Sequence, residues 1–287
     1  DGPRVARFAA LLTRGVRVRV GVDSLDGVRM LAAATTGVDR SRLSVAVEVD
    51  SGHHRSGIDP SGAGALALAA QEAGLAVDGL FTFPGHSYTP DGMAAAARAE
   101  RDALRAARDS LIAAGIACPV VSGGSTPTVL TTEAAMIAAE TDDLLTELRP
   151  GVYALGDAQQ WELGVISPAS IAFGVVATIV SRRDRDDGSA RLIVDAGSKA
   201  LASDRAPWAS GFGRLVEHPD ARIVALSEHH ATIVVPDGRV PGVALGDRLT
   251  IAPNHVCTAL NLVDDLVAVG SNGDDELWPV AARGANT

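Results

Sequence analysis

The chain alternates short apolar runs with longer stretches in which apolar residues return at helical spacing. The apolar runs predict five strands, at Val16–Val22, Leu43–Val49, Gly79–Phe83, Pro119–Ser122 and Gly151–Leu155. Helices are predicted between them, at Ser24–Thr35, Ser61–Ala73, Asp91–Ala114 and Thr131–Leu145, and the opening residues also have a helical pattern. The strands are apolar on both faces, which is typical of a parallel sheet covered by helices on each side.

The pattern changes near Ser167, where the helical periodicity ends. Short strands predict an antiparallel β domain, at Ile171–Ser181, Arg191–Asp195, Arg222–Leu226, His230–Val235, Arg248–Ile251 and Leu266–Val269. We therefore expect two domains, residues 1–160 and 161–287. A (β/α)8 barrel needs eight strand–helix units and about 250 residues, so five units indicate either a smaller open sheet or a barrel that lacks about three units on its N-terminal side. The helical pattern of the opening residues favours the incomplete barrel. The chain also does not begin with Met, and we expect it to start inside a longer reading frame.

The composition of the chain makes several kinds of binding partner and cellular compartment unexpected. A hydrophobic content of 47% is enough for large cores and excludes a disordered chain. The net charge of −10 makes nucleic acid and anionic membranes unexpected partners, and no apolar run reaches the roughly 20 residues of a membrane span. Two cysteines cannot form a disulfide scaffold, which favours a reduced, cytoplasmic protein.

Polar clusters follow the predicted strands, and in a parallel barrel that edge carries the chemistry. Arg55 lies in a glycine-containing loop after the second strand and can pair with an anion, although a solvated loop explains it equally well. His86 and Tyr88 follow the third strand in the segment FPGHSY. They are candidate ligand contacts, with a structural hydrogen-bonding role as the alternative.

The segment SGGSTPT between the fourth strand and a helix predicts a phosphate-binding loop. Its glycines let backbone amides approach a ligand, and the hydroxyls of Ser125 and Thr126 can hold a phosphate beside Gly124. The alternative is a helix cap with a flexible turn. Tyr153, within the segment RPGVY at the fifth predicted strand, is a candidate to close the other side of the phosphate, or else a core tyrosine.

The segment Pro253–Cys257 contains a candidate metal pair. In an extended chain, His255 and Cys257 point to the same side and present an imidazole and a thiolate together. Two ligands are too few for a structural zinc site, so the metal would have to be catalytic and completed by another group. Spacing alone leaves a chance pair as the more common explanation.

Seven segments, in this order, resemble the pyridoxal-phosphate enzymes of the D-threonine aldolase and D-serine dehydratase family: VEVDSGHHRSGI, FPGHSY, VSGGSTPT, ELRPGVYALGD, VDAGSKALASD, LSEHHA and PNHVCTALNLVDD. The resemblance covers nearly the whole chain. It implies the alanine racemase fold, an α/β plus β architecture in which a (β/α)8 barrel precedes an antiparallel β domain. A homodimer and a small-molecule D-amino acid substrate are expected with it.

The resemblance also implies a role for each matching residue. Arg55 would contact the cofactor ring, Tyr153 would lie near its phosphate, and His86 and Tyr88 would lie close to the substrate. The segment containing Gly124, Ser125 and Thr126 matches the loop that binds the phosphate of pyridoxal 5'-phosphate.

His255 and Cys257 match the family's metal pair. Dehydratases carry His-x-Cys there and use zinc, whereas aldolases carry His-x-Asp and use a metal such as Mn²⁺. Cys257 therefore favours a dehydratase that converts D-serine to pyruvate and ammonia, with retro-aldol cleavage to glycine and an aldehyde as the alternative.

One family feature is missing. Lys199 is the only lysine, and it belongs to the second domain rather than to the first barrel strand where the family's Schiff-base lysine lies. We therefore expect no catalytic Schiff-base lysine in this chain, and no enzymatic activity from the chain alone. A protein that binds a phosphate-containing ligand without catalysis is the alternative of another class.

Overall fold

The computed structural model describes residues 2–130, 144–236, 243–270 and 272–285. Its contacts divide into two compact units, Asp1–Gly151 and Val152–Thr287. The predicted helix at Thr131–Leu145 lies almost entirely outside the described residues. Among the described residues, no helix is both long enough and apolar enough to cross a lipid bilayer.

The first unit is a parallel sheet flanked by helices. Its five strands pair in sequence order: β1 (Val18–Val22), β2 (Leu43–Glu48), β3 (Ala76–Phe81), β4 (Val120–Gly123) and β5 (Glu147–Leu148). Its helices are α1 (Gly2–Thr13), α2 (Leu25–Ala34), α3 (Ala63–Glu72), α4 (Met93–Ala113) and α5 (Thr126–Leu130). All four strand pairs are parallel, so the carboxyl ends of the strands share one edge of the sheet.

Apolar side chains bury one face of this sheet against the helices. Val45, Val47 and Leu80 of the strands are fully buried, as are Leu104 and Leu111 of α4. These residues form a single core cluster. The core holds the parallel strands in place, so the loops that follow them start from the same edge of the sheet.

Two expectations for this unit are wrong. The fifth strand is Glu147–Leu148 rather than Gly151–Leu155, because Val152–Ala154 forms a 3-10 turn after Pro150 and Gly151. The first strand is not apolar on both faces. Its valines pack toward the core, whereas Arg19 lies on the opposite face and pairs with Asp78 and Glu147 at 2.8 Å each.

The second unit is built on a six-stranded antiparallel sheet. The strand order is β8-β11-β6-β7-β10-β9. The strands are β6 (Val175–Asp184), β7 (Ala190–Val194), β8 (Arg214–Leu215), β9 (Arg222–Leu226), β10 (Ala231–Val235) and β11 (Arg248–Ala252). A separate hairpin pairs β12 (Asp265–Ala268) with β13 (Glu276–Pro279). Three short helices complete the unit: α6 (Ala158–Glu162), α7 (Ser198–Leu201) and α8 (Val256–Leu260).

The sequence pattern does not predict β8 or β13, because a two-residue strand and an exposed edge strand carry little apolar signal. The inner residues Leu192, Ile233 and Ile251 are fully buried in a second core. The predicted order, a parallel α/β unit with five strands followed by an antiparallel β domain, is confirmed.

Candidate active site

Loops that follow neighbouring strands meet at the carboxyl edge of the first unit's sheet. The imidazole rings of His53 and His86 stack with their centroids 6.5 Å apart, which joins the loop after β2 to the loop after β3. The hydroxyls of Ser87 and Ser125 share a hydrogen bond of 2.9 Å, which joins the loop after β3 to the loop after β4. Three of the predicted clusters therefore form one site.

An aromatic group forms one part of this site. The Phe83 ring lies 6.0 Å from the His53 ring and 6.3 Å from the half-buried Tyr88 ring, centroid to centroid. The guanidinium carbon of Arg55, an exposed residue, lies 5.2 Å from the Phe83 centroid, within the range of a cation–π contact. Arg55, His53 and Tyr88 are thus placed around one phenyl ring, and His86 joins this group through its stacking on His53.

His86 has a buried ring nitrogen. Its Nδ1 is buried and has no hydrogen-bond partner among the described residues. Burial lowers the pKa of His86, and the charge of the nearby His53 lowers that pKa further. His86 therefore favours the neutral imidazole, which has one nitrogen free to accept a hydrogen bond.

The glycine loop after β4 is held by bonds within the protein. Gly124 has φ +90°, and its N–H donates to the Glu100 carboxylate at 2.5 Å. The Ser125 N–H donates to the Thr128 hydroxyl at 2.8 Å. Ser125 and Thr126 are fully buried, so the surrounding protein packs against this loop.

Glu100 belongs to this site although the strand-end motifs do not include it. It comes from α4, is 2% exposed, and burial raises its pKa to about 7. The signal for its burial is helical spacing, since Ala97, Glu100, Leu104 and Ala107 occupy the same buried stripe. A carboxylate on such a stripe needs a partner, and the Gly124 amide provides it.

Tyr153 lies in the second unit and is 56% exposed. It lies within the 3-10 turn Val152–Ala154 rather than in a strand. Its predicted place near a phosphate stays a prediction.

His255 and Cys257 lie at the start of α8, so the expected extended segment is wrong. His255 is the N-cap residue, with φ −134° and ψ 104°, and Cys257 is inside the helix. The chain turns into the helix here because Asp157, which is 2% exposed, accepts the backbone N–H of Val256 at 3.3 Å. The side chains of His255 and Cys257 still interact. The backbone is extended at His255 and becomes helical before Cys257, which keeps the two side chains close together.

Negative and polar groups surround this pair. Hydrogen bonding to the Cys257 side chain and then to Asp204 raises the pKa of His255 to about 9, against the lowering effect of burial. The Asp204 carboxylate lies 3.0 Å from the His255 Nδ1. The negative charge that favours a proton on the imidazole also favours a metal cation in place of that proton. A cleft of about 590 Å³ adjoins the pair and is lined in part by Asp204 and Cys257.

No group of three or more metal-binding side chains occurs among the described residues. The protein thus supplies a soft thiol and an imidazole, which is a donor set that suits zinc with other positions open.

The chain matches two family models. Residues 3–159 match the alanine racemase N-terminal domain, and residues 172–269 match a domain of serine dehydratase type. A protein of unassigned function from Mycobacterium tuberculosis is 57% identical over 132 residues, which are 46% of this chain and 98% of that protein.

Enzymes with assigned activities match over more of the chain. D-threo-3-hydroxyaspartate dehydratase of Delftia is 30% identical over 96% of this chain and 75% of its own length. D-threonine aldolase of Arthrobacter is 30% identical over 99% of this chain and 72% of its own length.

Solved structures of D-threo-3-hydroxyaspartate dehydratase have the same fold. Its histidine-to-alanine variant superimposes with a TM-score of 0.83, 30% identity and coverage of 97% of this chain and 74% of that one. Its cysteine-to-alanine variant, in the metal-free form, superimposes with a TM-score of 0.82 and 28% identity. That match covers 97% of this chain and 76% of the variant. The chain therefore belongs to the D-threonine aldolase and D-serine dehydratase family, which has the alanine racemase fold.

Proposed function

We propose that this protein is a pyridoxal-phosphate- and zinc-dependent lyase for D-amino acids with a β-hydroxyl, and that its reaction converts D-serine to pyruvate and ammonia. The observation that carries the proposal is the pair of His255 and Cys257 at the N-terminus of α8, with Asp204 on the imidazole. A thiol in that pair favours zinc over harder metals.

The residues of the first unit fit the cofactor. Ser125 and Thr126 supply hydroxyls in a preformed turn, and Arg55 supplies a positive charge beside the Phe83 ring. The unpartnered Nδ1 of His86 is a buried polar atom that a ligand group can satisfy. We propose that Gly124, Ser125 and Thr126 bind the phosphate with Tyr153, that Arg55 contacts the ring, and that His86 and Tyr88 bind the substrate.

The donor set of the second unit fits zinc, and the relatives support this assignment. The two solved variants of D-threo-3-hydroxyaspartate dehydratase replace a histidine and, two residues further along, a cysteine, and the cysteine variant is in a metal-free form. This chain has the same spacing at His255 and Cys257. We propose that these two side chains bind zinc and leave coordination positions open for the substrate hydroxyl.

When bound, the cofactor supplies an electron sink for negative charge at Cα, and zinc supplies a Lewis acid for the departing hydroxyl. The protein's own groups bind and orient. Arg55 fixes one edge of the aromatic group by stacking on Phe83. His86 stays neutral and can accept a proton at an imidazole nitrogen near the bound substrate, because burial lowers its pKa.

We assign no catalytic lysine in this chain. Lys199 lies in the second unit, where its Nζ pairs with the Glu228 carboxylate at 2.6 Å and contacts His229 Nε2 at 3.3 Å. We propose that Lys199 is structural and that these 287 residues alone are inactive. Borohydride reduction of the chain with pyridoxal phosphate, followed by peptide mass spectrometry, should find no adduct at Lys199.

Replacing the thiol tests the proposed function. In the complete gene product, Cys257→Ala should lose bound zinc and D-serine dehydratase activity while the cofactor absorbance stays nearly unchanged, because the thiol belongs to the metal site alone. Cys118→Ala is the matched control, since Cys118 is the other cysteine of the chain and its thiol donates to the Val120 carbonyl in the first unit. Unchanged metal content and activity in Cys257→Ala would refute the metal assignment. Glycine and acetaldehyde from D-threonine, without pyruvate from D-serine, would favour the aldolase reaction.

A further inference from the structure

We infer that Asp204 is a positioning residue for the metal pair: its carboxylate holds the Nδ1–H of His255, so that Nε2 is the nitrogen that binds the metal. This inference rests on the proposed metal role of His255 and Cys257. It assigns a function to a residue that none of the metal-ligand motifs includes.

The geometry determines which nitrogen is available. Asp204 Oδ2 lies 3.0 Å from His255 Nδ1, which is hydrogen-bond distance. A neutral imidazole has one donor and one acceptor nitrogen, and a carboxylate can only accept. A proton on Nδ1 therefore leaves the lone pair on Nε2, and the negative charge of the carboxylate makes that nitrogen a stronger ligand.

Asp204 is held in place from a second direction. The Asn254 side chain is 3% exposed, and its Nδ2 donates to the Asp204 carbonyl at 2.9 Å and to the Gly211 carbonyl at 2.8 Å. Asn254 directly precedes His255 in the chain. Two consecutive residues thus bind the backbone and the carboxylate of the same aspartate, which fixes its position relative to the imidazole.

The segment before Asp204 has a strained backbone. Ala202 has φ +58° and ψ 179°, a conformation that residues with a Cβ rarely adopt, and it lines the same cleft as Asp204 and Cys257. Strain of this kind persists where the surrounding structure imposes it. The strain at Ala202 shows that the path of the chain into Asp204 is specified rather than incidental.

A plain surface ion pair is the competing explanation. Asp204 and His255 side chains are 40% and 39% exposed, and exposed pairs contribute little to stability. Such a pair would not select an imidazole nitrogen and would not affect metal affinity. Metal affinity and the site of the imidazole proton therefore separate the two explanations.

The experiment titrates the full chain with Zn²⁺ against a competing chelator. Asp204→Ala should bind zinc about 10–100-fold more weakly than the wild type, as expected for the loss of an outer-sphere carboxylate. Asp204→Asn should be intermediate, because its amide oxygen still accepts from Nδ1–H without the charge. Asp184→Ala is the control, since Asp184 pairs with Arg182 within the same unit and makes no contact with His255. In the zinc-loaded wild type, ¹⁵N spectra should place the His255 proton on Nδ1.

Affinities within twofold of wild type in both Asp204 variants, with folding intact by circular dichroism, would overturn the inference while the metal site stands. A proton found on Nε2 would overturn it as well. If the wild-type chain itself binds no zinc, the proposed metal site fails and this inference fails with it.

Discussion

At the scale of single residues, buried ionisable groups are the most informative feature of the first unit. Glu100 is 2% exposed, and its carboxylate accepts the Gly124 N–H in the glycine loop. Arg101, its neighbour in α4, is also buried and is the charged group that acts on it. Burial outweighs both interactions, so the pKa of Glu100 rises from 4.5 to about 7.

The raised pKa of Glu100 predicts how stability changes with pH. Between about pH 4.5 and 7, folded Glu100 keeps a proton that the unfolded chain has released, so the free energy of unfolding falls as the pH rises. The loss from this one residue is on the order of 3 kcal/mol. Urea denaturation of the wild type and of Glu100→Gln at pH 5 and pH 8 measures it. The variant should lose clearly less stability across this range, and equal losses in both proteins would contradict the assignment.

At the scale of elements, the pairing of β3 with β4 depends on a glycine. Gly79 pairs with Val120 and has φ +153°, and a Cβ there would lie 1.9 Å from the Val120 carbonyl oxygen. Because that oxygen belongs to the neighbouring strand, it cannot move without separating the two strands. This pairing positions the loops that carry His86 and the phosphate-binding residues.

Gly79→Ala should therefore destabilise the protein by about 3 kcal/mol, from backbone strain and close packing together. Gly115→Ala is the matched control, because Gly115 also has a positive φ, +76°, but has open space where the Cβ would be. It should cost about 1 kcal/mol, from the backbone alone. Thermal denaturation of the two variants checks the difference, and equal losses would refute the steric argument.

The elements also show what the sequence can and cannot predict. β2 and β4 are predicted almost at their observed bounds, because each is a continuous apolar run between polar turns. The fifth strand is misplaced, because the apolar run GVYAL follows Pro150 and forms a turn. His255 and Cys257 are found by their spacing, yet their backbone is that of a helix start, since the Asp157 carboxylate that accepts the Val256 amide is distant in sequence.

The supporting residues could not be found by local pattern. Asp204 and His255 are 51 positions apart, and no periodicity relates them. Glu100 and Gly124 are joined in the same way, by a hydrogen bond between a helix and a loop. Motifs record the groups that touch a ligand, whereas the groups that orient them are brought together only by the tertiary fold.

At the scale of the whole molecule, the chain joins a parallel α/β unit and an antiparallel β unit, each with its own core. Their order matches the two family models along the chain. We propose that residues of the first unit bind the phosphate cofactor and that residues of the second bind zinc. The proposed lyase reaction needs both, because Cα must carry negative charge while the β-hydroxyl departs.

The most direct test of this function is product analysis with the complete gene product, loaded with pyridoxal phosphate and zinc and supplied with D-serine. We expect pyruvate and ammonia in equal amounts, loss of both after the metal is removed by a chelator, and recovery when zinc is returned. D-serine left unchanged by the loaded protein, or pyruvate formed at the same rate after the metal is removed, would contradict the assignment of a zinc-dependent dehydratase.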